Sequence, residues 1–364
     1  MPPVVPQTRP LSWSWCALAL SVLAFGCVDT AELLGSILTG DAGSGRTGSV
    51  DAAGEPAEAA SSPEAGIDPA NDGGDAGNAE AAGDGGDAGD GGDAVGACDL
   101  SMPFGAPVLV QGLQSTDSEG GLRLLPDELT GFFWSNRKGG PGSTNLYVTT
   151  RADRSAPFGN VKLLNKVNAP QYLTIDPTST ANGLTLVFRG RTGPVDSGVD
   201  RLFSATRSDV VSDFSGGTLL ASLNSTLFDA VQPFLLADGS EIYFSTNRMV
   251  DFDIYRSFLA GGAFGAPVPV PELNLSGANQ GDPVVSADDL TMLFSSTRSN
   301  GVGMGDIWVA QRSNRAASFS VPADLREVNS TSNDSPTWLS PDGCRLYLSS
   351  DRDGHFQLYL AARP

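Results

Sequence analysis

Apolar residues recur along the C-terminal two-thirds of this chain in short runs of three, each bounded by turn residues. The runs are Phe132-Phe133-Trp134, Leu186-Val187-Phe188, Ile242-Tyr243-Phe244, Met292-Leu293-Phe294 and Leu346-Tyr347-Leu348. Each is closed a few residues later by an arginine: Arg137, Arg191, Arg248, Arg298 and Arg352, at gaps of 54, 57, 50 and 54 residues. Short runs of this kind, rich in aromatic and branched residues, read as buried strands rather than helices. In four copies an aspartate stands ten residues before the arginine (Asp127, Asp238, Asp288, Asp342); the second copy has Asn182-Gly183. Asp-Gly and Asn-Gly permit the positive φ of tight hairpin turns. Copies one and four read Asp127-Glu128 and Asp288-Asp289, so their turns are expected to be looser or less favourable.

A third strand follows each arginine after a Gly-rich loop: Asn145-Leu146-Tyr147, Leu202-Phe203, Asp253-Ile254-Tyr255, Asp306-Ile307-Trp308 and Leu358-Tyr359. A fourth element opens on phenylalanine at Phe104, Phe158, Phe214, Phe264 and Phe319. Four short strands in a unit of about 50 residues are the signature of a propeller blade. The expected fold is all-β, a five-bladed β-propeller. A six-bladed alternative needs a degenerate copy, and the 57-residue gap is too short to hide one.

The phase of the repeat carries further information. A phenylalanine element stands before the first turn motif, and none follows the last one. One blade is therefore split between the two ends of the domain. Pairing the N-terminal strand into the last blade closes the ring and removes exposed strand edges.

The proline before the turn, the Asp-Gly, the Ser-x-Arg and the Asp-Ile-Tyr together resemble the WD-like propeller repeat of TolB-type periplasmic proteins. The resemblance covers residues 101–362 and implies fold more than function, since such propellers host many roles. TolB proteins are six-bladed with an additional N-terminal domain; this chain shows five repeats and no such domain.

Residues 1–27 have the form of a secretion signal, with Arg9 followed by an apolar run of 15 residues, Leu11 to Phe25. That run is short for a membrane span. The stretch Leu23-Ala24-Phe25-Gly26-Cys27 resembles a bacterial lipobox with its leucine one position early. Ordinary cleavage would release a soluble chain; lipoprotein processing would leave an acylated Cys27, and two acyl chains hold stably where one does not. Lipidation is the expectation, because the next segment reads as a tether.

That segment, 28–98, is Ala/Gly/Asp-rich and carries 15 acidic residues against Arg46 alone. Most of the net charge of −20 therefore sits here and not in the repeats. Too few large apolar groups are present to offset ordering entropy, so it is expected to be disordered. A Gly-rich chain of about 70 residues spans on the order of 45–50 Å. Its acids fall every third residue without a closing Glu, which does not fit a calcium loop.

Residues 99–364 form the expected propeller. Cys98 and Cys344 lie in the two regions that ring closure brings together, which predicts a disulfide between them in an oxidising compartment. The single histidine, His355, stands in a loop of the last blade. No zinc-ligand spacing, nucleophile elbow or phosphate loop is present, so neither metal nor cofactor is expected. The acidic balance argues against nucleic acid. Because the five arginines repeat with the fold's own period, they are expected to pair with acids or carbonyls of their own or an adjacent blade, Glu119, Asp229, Asp282 and Asp334 being candidates.

These readings add up to an exported monomer, anchored by lipid to the bacterial envelope at the outer membrane, that presents a propeller face to an envelope protein or glycan without catalysis. The alternative is a propeller glycoside hydrolase, with separated carboxylates such as Asp229 and Asp282 at the channel mouth.

Overall fold

The computed structural model of the chain describes residues 98–168, 173–191 and 198–364. The expected signal segment, Cys27 and nearly all of the expected tether lie outside them. After a short strand β1 (Val108–Leu109), the first blade consists of β2 (Glu119–Leu124), β3 (Thr130–Ser135), β4 (Asn145–Thr150) and β5 (Gly159–Leu163). A single helical turn, α1 (Asn165–Asn168), leads to the second blade: β6 (Leu173–Ser179), β7 (Thr185–Arg191), β8 (Arg201–Thr206) and β9 (Thr218–Leu219). The third has β10 (Ala230–Leu235), β11 (Glu241–Thr246), β12 (Asp253–Ala260), a small hairpin strand β13 (Ala263–Phe264) and β14 (Val268–Pro269). The fourth has β15 (Gln280–Val285), β16 (Thr291–Ser296), β17 (Asp306–Gln311) and β18 (Ala323–Asp324). The closing blade has β19 (Asp334–Leu339), β20 (Arg345–Ser350) and β21 (Gln357–Ala362), with β1 as its outermost strand. Every pairing within these sheets is antiparallel.

This is a five-bladed β-propeller with a split closing blade. Val108 stands opposite Leu360 and Leu109 opposite Tyr359, and the Val110 N–H donates to the Leu358 carbonyl. The second strand of each blade has an unbroken apolar stretch in its middle, because a blade is covered on both faces by its neighbours. Phe132, Phe133, Leu186, Phe188, Ile242, Tyr243, Phe244, Met292, Phe294, Leu346 and Leu348 are all fully enclosed. Such side chains contribute about 1.5–3 kcal/mol each when buried.

Closure is equally visible in the packing. Five hydrophobic clusters fill five blade interfaces. Phe132 meets Phe188 between the first and second blades, and Val187 meets Phe244 between the second and third. Tyr243 meets Phe294 between the third and fourth, and Leu293 meets Leu348 between the fourth and the closing blade. Tyr347 and Trp338 of the closing blade meet Phe133 of the first, which completes the circle. Cys98 is bonded to Cys344 across 246 residues of sequence.

The five hairpin turns between first and second strands share one geometry. The N–H of Glu128, Gly183, Gly239, Asp289 and Gly343 each donates to the carbonyl three residues back at 2.8–2.9 Å. All five residues have φ between 61° and 76°. The side chain of the preceding Asp127, Asn182, Asp238, Asp288 or Asp342 accepts the N–H two residues on. The looser turns expected in copies one and four are therefore not found. Glu128 and Asp289 take the left-handed conformation without being glycine, and their buried carboxylates are tied down. Glu128 bridges Arg345 of the closing blade at 2.6 Å and Arg151 of its own at 3.4 Å. Asp289 pairs with Arg312 at 2.5 Å and accepts the Tyr243 hydroxyl of the third blade at 3.4 Å. These ion pairs, between blades for Glu128 and within the blade for Asp289, offset a local backbone cost of about 1–3 kcal/mol.

Candidate functional site

Polar side chains that repeat with the blades serve the fold. Four of the five sequence arginines make one recurring set of contacts. Arg137, Arg248, Arg298 and Arg352 each donate from Nη2 to the carbonyl of a buried residue that precedes the blade: Leu113, Leu223, Leu273 and Val328, at 2.6–2.8 Å. Each guanidinium also lies over an aromatic ring of its own blade, at 4.8–5.9 Å from the centroid. Glu119 pairs with Arg137 and Asp334 with Arg352. Asp229 and Asp282 do not pair with Arg248 and Arg298, whose partners are carbonyls. Arg191 differs again: it is the last residue of β7 and holds Asp200 at 2.5 Å.

A second arginine set escaped the sequence reading. Arg151, Arg207, Arg312 and Arg363 follow the third strand of four blades. Each donates from Nε to the carbonyl of the left-handed turn residue, at 2.7–3.3 Å. Each also covers the phenylalanine that opens the fourth element, at 4.0–4.5 Å from Phe158, Phe214, Phe319 and Phe104. A third repeat, Asn168, Asn224, Asn274 and Asn329, uses the side-chain amide to close the backbone N–H and C=O of Leu146, Leu202, Ile254 and Ile307. Both sets were legible at the period of the first. Each asparagine directly follows a leucine or valine, and Arg151, Arg207 and Arg312 each stand seven residues before their phenylalanine.

What remains is the central bore, where the backbone repeats and the side chains differ from blade to blade. Its walls are the innermost strands β2, β6, β10, β15 and β19, each interrupted by a bulge. A bulge turns one side chain away from its strand's regular alternation. In three blades the residue before a proline takes positive φ there: Asp176 at 53°, Gln232 at 52° and Asp282 at 48°. Their contacts run between adjacent blades and within one blade. Gln232 donates from Nε2 to Asp282 Oδ2 at 2.9 Å, and Ser295 donates to the same oxygen at 3.1 Å. Gly281 makes this approach possible, since a Cβ there would stand 2.5 Å from Gln232 Oε1. Asp176 faces Arg189 at 3.5 Å, whose Nε donates to Asp200 at 2.8 Å.

One further group crosses the bore. Arg123 on β2 reaches the opposite wall, where Nη2 meets the Pro283 carbonyl at 3.4 Å and the guanidinium lies 4.9 Å from the Phe234 ring centre. It is 7% exposed, and its Nη1 has no hydrogen-bond partner among the described residues. On its outer side, at the hairpin end of the bore, opens a cavity of about 180 Å³ lined by residues from all five innermost strands, Phe234 and Trp338 among them.

The electrostatics follow from this enclosure. Burial, reinforced by the charge of Asp176, pushes the Asp282 carboxyl up to about 6. Burial also raises Asp176, against the pull of Arg189. The same desolvation lowers Arg123 to about 10. The bore thus holds a carboxyl that is a proton donor near neutrality and a second carboxyl close enough to influence it.

Of the two carboxylates suggested by sequence for a hydrolytic role, only Asp282 lies here. Asp229 is three residues out of register with it and accepts the Asp200 N–H and the Asn247 amide at the end of a loop. Asp176, which the sequence did not single out, takes the place of the second carboxylate. His355 sits 2.6 Å from the Gln357 amide, away from these groups. Among the described residues, no group of three or more His, Cys, Asp or Glu side chains is arranged to hold a metal ion.

No known family matches the sequence, and no curated protein does. Solved structures do match the fold. One is TolB from Acinetobacter baumannii (TM-score 0.41, 16% identity, 69% of this chain and 56% of that one). Another is a thermostable family-43 glycoside hydrolase (TM-score 0.47, 13% identity, 70% and 91%). A third is an α-L-arabinofuranosidase from Podospora anserina in complex with cellotriose (TM-score 0.45, 11% identity, 72% and 97%). The chain thus spans little more than half the length of the Acinetobacter protein. At these identities the likeness shows the fold alone. Several neighbours are nevertheless glycoside hydrolases, which corrects the expectation of a protein without catalysis: this architecture gives no ground for excluding it.

Proposed function

We propose that this propeller is a carbohydrate-active protein whose bore hydrolyses a glycosidic bond, with Asp282 as the proton donor and Asp176 as the opposing carboxylate. The observation that carries this reading is the placement of two raised carboxyl groups on β6 and β15, which are not neighbouring strands, at a bulge position that the strand between them, β10, fills with Gln232 instead. Glycoside hydrolysis asks for such a pair, one member holding a proton for the leaving oxygen while the other remains available as a carboxylate. Ser295 and Gln232 would orient Asp282, and Arg189 would oppose the rise that burial causes in Asp176.

The setting we propose is the bacterial envelope, reached by export, with Cys27 acylated and residues 28–98 as the tether. Mass spectrometry of the mature N-terminus from the native host would show a diacylated Cys27, and an unmodified one would exclude the anchor. The catalytic reading is tested with the full chain on a panel of aryl pyranosides and furanosides. Turnover that falls at least a thousandfold in Asp282→Asn and Asp176→Asn, with a melting temperature no lower than that of the wild type, supports it. Absence of turnover across the panel, or full activity in both variants, sinks it.

A further inference from the structure

The cavity at the hairpin end of the bore has a feature that the carboxyl pair alone does not explain. Its inner wall is Arg123, more than nine-tenths buried, with Nη1 unpaired and Nη2 in only a long contact to a carbonyl. A buried guanidinium normally has its donors filled, because an unpaired buried charge is costly. Nothing in the repeat demands it: the matching position two residues after the bulge is Thr178 in β6, Phe234 in β10 and Val284 in β15. The cavity beside it also offers the Phe234 and Trp338 rings, the Thr178 and Thr180 side chains, and Arg315 on the rim. Asp238 is the acid in the lining, and its Oδ1 already accepts the Ser240 N–H and hydroxyl.

We propose that Arg123 receives the carboxylate of a uronic acid, making a hexuronate residue the sugar that this bore selects. A planar guanidinium with an open donor suits a carboxylate. Aromatic faces and threonine side chains suit the ring that carries it. A volume of about 180 Å³ is close to the ~150 Å³ that admits a benzene ring, so the well takes one sugar unit and not a chain. The inference rests on the reading of Asp282 and Asp176 as the hydrolytic pair, whose carboxyls lie within electrostatic reach of Arg123 and do not themselves line the cavity.

The test is calorimetric titration of the full chain carrying Asp282→Asn with sodium D-glucuronate and D-galacturonate, against glucose, galactose and sodium acetate. One uronate is expected to bind at least tenfold more tightly than its neutral sugar and than acetate. Arg123→Gln should remove that preference and Arg123→Lys restore part of it. Equal binding of neutral and acidic sugars, or a preference unchanged in Arg123→Gln, overturns the proposal. Acetate binding as well as uronate would reduce the site to a general carboxylate site and overturn the sugar assignment. If Arg123→Gln does not fold, the wild-type chain decides: uronate and not neutral sugar should raise its melting temperature, and no such rise refutes the inference. Uronate binding without turnover of any aryl uronide leaves this assignment standing and defeats hydrolysis. Turnover of neutral glycosides that is indifferent to Arg123→Gln does the reverse.

Discussion

At the scale of the residue, the same side-chain type does opposite jobs depending on whether it follows the blade period. Arg298 has no acid partner; it holds the Leu273 carbonyl and covers Phe294 and Trp308. Arg298→Ala should cost about 2–4 kcal/mol in denaturant unfolding, from a stranded buried carbonyl and a lost cation–π contact. Glu128→Gln should cost about 3–5 kcal/mol, because it takes the negative charge from Arg345 and Arg151 and leaves the left-handed backbone in place. Asp282 behaves differently. Its folded pKa is raised, so its contribution to stability is greatest below about pH 4 and is lost as pH rises through about 6. Asp282→Asn should therefore stabilise the protein at neutral pH by a few degrees of melting temperature. The gap between variant and wild type should close as the pH is lowered from 7 to 4. A gap that is constant with pH would show that the carboxyl is not buried as described.

At the scale of the element, the unit of construction is a strand pair with its turn, and its rules were largely visible in the chain. The apolar triplets, the Asp-Gly spacing and the phenylalanine openings located every blade, because burial on both faces and positive φ each restrict residue choice. Glu128 and Asp289 misled, since a local rule about turns cannot see an arginine arriving from another strand. The bore was legible only in part for a related reason. Asp282 stands before a proline in sequence like Asp176 and Gln232, but only the bulge turns those side chains toward each other. Arg123 carried no signal at all, since its meaning depends on strands 50 to 160 residues away. The asparagine clamps are the clearest element-scale test. Asn224→Ala removes the partner of the Leu202 N–H and C=O and of the Leu220 carbonyl. It should cost about 2–4 kcal/mol and, in hydrogen exchange, deprotect the second blade before the others.

At the scale of the molecule, five interface cores and one covalent link make the ring a single cooperative unit. Reduction of the Cys98–Cys344 bond frees a loop of 246 residues. In the chain-entropy model such a link is worth roughly 5 kcal/mol, so the reduced protein should melt well below the oxidised one. Coincident melting curves would show that the bond adds nothing once β1 is in place. The link has a second consequence, which is mechanical. Strand β1 is two residues long and is held by few backbone bonds, so on its own it would peel from β21 like a strip of tape. Cys98 lies outside β1, ahead of it in the chain. A pull applied to the segment before residue 98 is therefore handed through sulfur to the turn between β19 and β20, and β1 carries none of the load.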